Sequence, residues 1–350
     1  MNDSNRRFPA VFPILIADIG GTNARFAILQ DRDSDLEFYA TVKISDFETL
    51  EHAIQETILD KVSIRLRSAF LAVAAPISRE NIILTNYKWA IDPEILLSDM
   101  GFEDVLVIND FEAQALSIAS LSDVDRFCIG CDIDNNSHIF SSRAIIGPGT
   151  GMGIAGLIRA KDLWIPIPGE GGHMDIGPRS ERDFEIFPYL EERADGRISA
   201  EKLLSGRGLV NIYRAICKAQ GIEKKNVFCA EDVISQTRDP ISLETINLFC
   251  EYLGRISGDI ALLFMSRGGI YLSGGIPYKI LPLLRHSGFR DAFENKAPHK
   301  DLLCQIPTYV ITNPYIAIMG MYSYIKETDK FSLLRDGKIG SLSVDGFLGT

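Results

Sequence analysis

The 350-residue sequence has no excess of basic charge: 36 Lys and Arg face 47 Asp and Glu, leaving a net charge of −11. A nucleic-acid partner would want a basic face, so none is expected. No apolar run reaches 18 residues, so no membrane-spanning helix, and no membrane partner, is expected. The opening stretch MNDSNRRFPAVF lacks an apolar region long enough for a secretory leader. The six cysteines are scattered and form no dense framework, which fits reduced thiols in a cytoplasmic protein. One C-x-x-C occurs, Cys128 and Cys131, but a zinc site would want a second pair or histidines at ligand spacing, and the nearest histidine in sequence is His138. Two small structural residues are the preferred reading there. Two nucleotide signatures are also missing. No G-x-x-x-x-G-K-[ST] occurs, and a dinucleotide fingerprint on Gly147 and Gly149 fails at residue 152, which is Met. An acidic balance still permits anionic substrates, because backbone amides bind phosphate locally.

Apolar residues make up 46% of the chain, enough for more than one hydrophobic core, so two domains are expected. ILIADIG and ARFAIL read as short strands around a glycine turn. SAFLAVAAPI is a continuous apolar run, the pattern of a strand buried on both faces. NIILTNYKWAI reads as another strand. VLVIND ends a strand that leads into a helix, FEAQALSIASL. Later, RAIIGPGTGMGIAGLI repeats the opening logic of strand, glycine turn and strand, and GGIYLSGGIPY leads from a strand into a helix. The two openings, at about residues 14–29 and 143–159, suggest duplicated α/β halves. SAEKLLSGRGLVNIYRAICKAQ and ISLETINLFCEYLGRISGDIALLFMS read as helical, and residues 331–350 as a mixed tail.

The turns carry the first chemical signal. Gly20 and Gly21 admit close approach to the main chain, and Thr22 and Asn23 add polar side chains. A plain hairpin turn is the competing reading. In GPGTGMG the glycines at 147, 149, 151 and 153 alternate around Thr150. A run so poor in side chains costs backbone entropy and contributes no packing, a cost that a phosphate cradle would explain. Other candidates keep two readings at this point. Asn109 or Asp110 could cap the following helix, and the bare sequence favours that over a catalytic carboxylate at a strand end. PGEGGHMD places Glu170, His173 and Asp175 in one glycine-rich loop, either as solvated charges or as ligands. Glu201 could be a first-turn glutamate of a helix capped by Ser199.

Taken in order, ADIGGTNARFAI, VINDFEAQAL, GPGTGMGIAGL, PGEGGHMDIGP, SAEKLLSGRGLVNIYRAI and YLSGGIP resemble the bacterial glucokinase family, within the actin/hexokinase/Hsp70 class of ATPases. The resemblance runs over roughly residues 14–325. It implies an α/β fold of two actin-like (ribonuclease H-like) domains with an interdomain cleft: residues 1–110 plus about 312–350 as the smaller, 111–311 as the larger. It implies ATP-dependent phosphorylation of D-glucose to glucose 6-phosphate, with ATP and Mg2+ as cofactors and glucose as the sugar partner.

On that resemblance, Asp18 sits near the magnesium and Gly20, Gly21, Thr22 and Asn23 form the first phosphate loop. Gly149, Thr150, Gly151 and Gly153 hold the other side of the triphosphate, and Gly274 and Gly275 leave room for the adenosine. Asp110 becomes the general base and Asn109 a sugar ligand. Glu170, His173 and Glu201 become ligands of sugar hydroxyls, with Asn86 a further sugar contact. Carboxylates accept hydroxyl protons and imidazole donates or accepts, which is how a site reads a polyol. The wider sugar-kinase and repressor relatives carry a zinc-binding cysteine motif after the E-x-G-H loop; this chain has none there, so no structural zinc is expected. Another hexose as substrate, or a sugar-sensing regulator on the same fold, are the alternatives. A homodimer is the expected assembly, though no residue pattern of its own supports it.

Overall fold

Branched apolar runs in this chain fold as strands, and they assemble into two sheets of the same design. The computed structural model describes residues 11–77, 82–84, 89–130, 140–191, 196–223, 227–333 and 338–341. Its strands are β1 (Ile14–Ile19), β2 (Asn23–Leu29), β3 (Glu37–Lys43), β4 (Ser68–Val73), β5 (Ile82–Ile83), β6 (Ala90–Ile91), β7 (Asp104–Asn109), β8 (Arg126–Cys128), β9 (Arg143–Pro148), β10 (Met152–Ala160), β11 (Leu163–Gly169), β12 (Ile270–Leu272), β13 (Thr308–Ile311) and β14 (Lys338–Ser341). Among the described residues the chain divides into two compact units: 1–120, 160–167 and 315–350 in one, 121–159 and 168–314 in the other.

In the first unit the sheet order is β14-β7-β4-β1-β2-β3. β1 runs antiparallel to β2 and parallel to β4, and β4 runs parallel to β7. Every residue of β1 and β4 is buried, as a strand covered on both faces must be. The helix Asp110–Ser117 follows β7 directly and crosses the helix Ile316–Lys326 at close range. A Cβ added to Gly320 would lie 1.8 Å from the Ala113 carbonyl oxygen, so the two backbones touch through that glycine. This packing ties residues 110–117 to the first unit. The stretch NIILTNYKWAI is not one strand but a pair of two-residue strands, β5 and β6, paired antiparallel. Part of the tail becomes β14, antiparallel to β7.

The second unit repeats the plan in the strand order β10-β9-β12-β13-β8. β9 runs antiparallel to β10 and parallel to β12, β12 parallel to β13, and β13 antiparallel to β8. Both sheets therefore place a glycine-turn hairpin beside two parallel strands, which is the duplication that the two openings suggested. β10 and β11 are joined at Lys161 and Asp162, both at positive φ, the backbone of a tight two-residue hairpin turn. The longest helix, Pro240–Phe264, starts where Asp239 accepts a hydrogen bond from Ser242 N ahead of a first-turn proline, and stops where Met265 turns left-handed. Its inner face joins the core of this unit with Leu209, Ile212, Tyr213 and Ile216 from the helix Gly206–Ala219. Among the described residues no helix is long and apolar enough to cross a membrane.

Candidate active site

In the first unit, the sheet register brings the sequence-predicted residues to one edge. Ile19, Val73 and Asn109 lie level across β1, β4 and β7. The glycine turn after Ile19 and Asp110 after Asn109 thus leave the same carboxyl-terminal edge, two strand spacings or about 10 Å apart. Ligands of α/β sheets sit beyond that edge. The turn is closed by Gly20 N donating to Asn23 O at 3.0 Å, and Thr22 is exposed at its tip. Asp18 stands one residue before Ile19 and directly opposite Arg25. Arg25 Nη1 donates to Asp18 Oδ2 at 2.8 Å, with the Asp18 side chain 11% exposed. Burial pushes the Asp18 carboxyl above its ordinary range, and the Arg25 guanidinium opposes the shift.

That donor set is one carboxylate with one oxygen already committed. It suits a cation that keeps most of its water and leans on substrate phosphates, as Mg2+ does. It does not suit a cage built from protein alone, and no group of three or more Asp, Glu, His or Cys able to hold a metal occurs among the described residues.

Asn109, not Asp110, takes the capping role that the sequence left open. Asn109 caps the helix: its Oδ1 accepts from Phe111 N at 2.9 Å and Glu112 N at 3.2 Å, and its Nδ2 donates to Ala75 O at 3.3 Å. Asp110 is the first helical residue and is half-buried. Asn86 lies outside the described residues, as does Cys131 of the C-x-x-C.

In the second unit the remaining candidates converge on the turn between β9 and β10. Gly149 N donates to Gly151 O at 2.8 Å, with Thr150 exposed between them. The glycines differ in what they leave room for. A Cβ on Gly149 or on Gly275 would meet nothing within 4 Å, so both backbones face open space. A Cβ on Gly274 would lie 2.5 Å from the Pro148 carbonyl oxygen, and its φ of +86° is one that side-chain residues avoid. The segment Leu272–Ile276 is therefore seated against the end of β9, beside the second turn.

Gly151 gives a different result from the one its sequence context suggests. The space its missing Cβ leaves is occupied from within the protein, by Glu201 Oε2 at 2.6 Å. That same oxygen accepts a hydrogen bond from Met152 N at 3.1 Å. Glu201 lies in the short helix Ala200–Leu203, where Ser199 holds the N-cap position but makes no capping bond through its side chain.

The loop Gly169–Pro178 packs on the main chain of the same residue, Met152. A Cβ on Gly172 would come 2.1 Å from Met152 O, so only glycine lets the loop lie on the start of β10. Above it, Glu170 and His173 are open, with side chains 63% and 44% exposed and His173 Nε2 3.8 Å from Glu170 Oε2. The loop is stitched to the approach to Glu201: Ile176 N donates to Ile198 O, Ala200 N to Met174 O, and Arg197 Nη1 to Asp175 Oδ1 at 2.6 Å.

Two groups of supporting residues were not legible in the sequence. Gly206 N, at the start of the helix Gly206–Ala219, donates to Gly149 O at 2.9 Å. The glycine pair of SGRG was the available signal. The loop's far end is anchored by a buried network. Tyr252 OH donates to Asp183 Oδ1 at 2.9 Å, Arg255 Nη1 to Asp183 Oδ2 at 3.2 Å, and Arg255 Nη2 to Gly177 O at 2.6 Å. Burial and the Asp183 carboxylate push the Tyr252 hydroxyl well up. The partners are 69, 72 and 78 positions apart in sequence and form no local motif.

The glucokinase family profile matches residues 15–328. A glucokinase of Rhizobium johnstonii is 51% identical over 338 residues, covering 96% of this chain and 98% of that protein. A crystal structure of a glucokinase from an Antarctic psychrotroph superposes with a TM-score of 0.77 at 30% identity, covering 90% of this chain and 99% of the other. A glucokinase of Balamuthia mandrillaris, crystallised with glucose, has the same fold at a TM-score of 0.74 and 22% identity, with 90% and 93% covered. With the site geometry and these relatives together, the chain belongs to the glucokinase family of enzymes.

Proposed function

We propose that this protein transfers the terminal phosphoryl group of ATP to the 6-hydroxyl of D-glucose. The observation that carries the reading is the shared main chain of Met152. The main chain of this one residue ends a bare glycine turn, supports through its carbonyl the loop bearing Glu170 and His173, and is bound through its amide by Glu201. A phosphate cradle and a set of polyol ligands are thus built into one rigid cluster. The relatives named glucokinase, one of them crystallised with glucose, support the choice of sugar.

Phosphoryl transfer has a loose transition state, so positioning and charge stabilisation dominate the catalysis. The amides of Thr150–Gly151 and Gly21–Thr22 bind the phosphate chain, and Gly275 leaves room for the adenosine. Glu170, His173 and Glu201 orient the sugar by hydrogen bonds to its hydroxyls, and reject analogues lacking them because polar groups that the bound sugar covers would go unpaired. Asp110 accepts the proton of the attacking hydroxyl. Asn109, by capping the helix, fixes the backbone from which Asp110 projects. Bound Mg2+, held through water near Asp18, would neutralise phosphate charge. The two compact units serve as the small and large domains of the family.

A coupled assay with ATP, magnesium and a panel of hexoses tests the reading. Glucose is expected to give the highest kcat/KM. Asp110→Asn should lower kcat by about 10²–10⁴-fold while calorimetry still detects glucose. Near-normal turnover in that variant would reassign the base, and a different preferred hexose would replace the substrate.

A further inference from the structure

The proposed sugar ligand Glu201 has a second engagement, with the nucleotide turn. Its Oε2 accepts the Met152 amide and fills the space that Gly151 leaves by having no Cβ. A carboxylate bound to a backbone N–H makes one of the stronger hydrogen bonds in a protein. The residues just after Glu201 grip the other end of the same turn. Ser205 Oγ donates to the Glu201 carbonyl at 2.8 Å and accepts from Gly208 N at 3.0 Å, which fixes Gly206. Gly206 N then donates to Gly149 O. The segment 201–206 therefore staples the turn 149–152 at both ends, once by a side chain and once by the main chain. Met152 O, in the next peptide along, bears the Gly172 backbone of the sugar loop.

We propose that Glu201 is a positioning residue of the nucleotide turn, and that through it sugar binding and nucleotide binding are thermodynamically coupled. The first half rests only on the geometry above. The second half rests on the sugar-kinase reading: a sugar hydroxyl donating to Oε1 orients the carboxylate, and with it the Met152 amide and the turn. Coupling of this kind is reciprocal, so nucleotide must also tighten sugar by the same factor. A residue that only bound sugar would leave nucleotide affinity untouched when sugar is absent.

Calorimetry of full-length protein with magnesium and a non-hydrolysable imido analogue of ATP, with and without glucose, separates the two halves. Wild type should bind the analogue about tenfold more tightly with glucose present. Glu201→Ala should weaken analogue binding about tenfold without sugar and reduce the effect of glucose to less than twofold. Glu201→Gln keeps an acceptor for Met152 N and should recover part of both. Gly151→Ala, which pushes the carboxylate away, should reproduce the sugar-free loss, and the double variant should lose no more than either single one. A thermal melt of each variant checks that it is folded. Unchanged sugar-free affinity in folded Glu201→Ala would overturn the positioning role even if the enzyme proves to be a glucose kinase. Wild type that binds the analogue but no glucose would sink the coupling and the sugar reading, while the alanine variants still decide the first half. Wild type that binds no analogue overturns both.

Discussion

The two glycine turns occupy equivalent places in equivalent sheets, yet they obtain their charge in opposite ways. In the first, the cross-strand pair next to the turn's last pair is Asp18 opposite Arg25, an ion pair supplied by the strands themselves. In the second, the corresponding pair is Gly147 opposite Gly153, and the carboxylate is brought in from Glu201, about fifty residues on. The first turn is thus self-contained. The second depends on a helix, a loop and the glycine pair Gly274–Gly275 assembling around it. Repetition of a strand–turn–strand device preserved the backbone, and the side-chain chemistry was placed by whatever packs beside each copy.

The largest effect should come from the open face of the second turn. Gly149→Val puts a branched side chain where nothing lies within 4 Å. Binding of Mg-ATP analogue should fall about a hundredfold, ~2.7 kcal/mol, with the thermal midpoint unchanged. Retained affinity would mean that this face does not meet the nucleotide. The next effect separates two adjacent glycines. Gly274→Ala forces a Cβ against the Pro148 carbonyl at a positive φ and should cost about 1–3 kcal/mol of stability. Gly275→Ala faces open space and should stay within about 0.5 kcal/mol. Equal melting losses in the two variants would erase the distinction between a structural and a ligand-facing glycine.

The smallest effect sharpens the first turn. Burial raises the folded-state pKa of Asp18 above its unfolded value. A raised carboxylate favours the fold below the unfolded pKa and loses that contribution as pH rises through the folded pKa. Asp18→Asn carries no such group, so in the absence of nucleotide its melting temperature should gain on wild type as pH is raised from the acid side through the carboxylate range. A difference that is flat with pH would show that Arg25 fully compensates the burial.

Local signals were legible in proportion to how locally the structure uses them. The strand–turn–strand runs, the helix after VLVIND and the long helix before Met265 follow from apolar periodicity and turn residues alone. Capping was legible as a choice between Asn109 and Asp110, and the backbone geometry decided for Asn109. NIILTNYKWAI looked like one strand despite the polar residues at its centre, yet its two ends, Ile82–Ile83 and Ala90–Ile91, pair antiparallel with each other. β14 could not be read, because its pairing with β7 joins residues more than 200 positions apart. Gly151 was legible as a position that matters, but that Glu201 fills the space beside it was not.

By itself the sequence determined the element types, the two glycine turns, the candidate carboxylates and, through the order of its motifs, the family. Those depend on backbone preferences and apolar spacing within a dozen residues. Only the tertiary structure decided which glycines face open space, which ones accommodate a neighbour, and that Glu201, Gly172, Gly206 and Gly274 all close on the Pro148–Met152 backbone. Such contacts are set by how distant elements pack, and no local pattern of residue types encodes the distance between two atoms brought together from opposite ends of a fold.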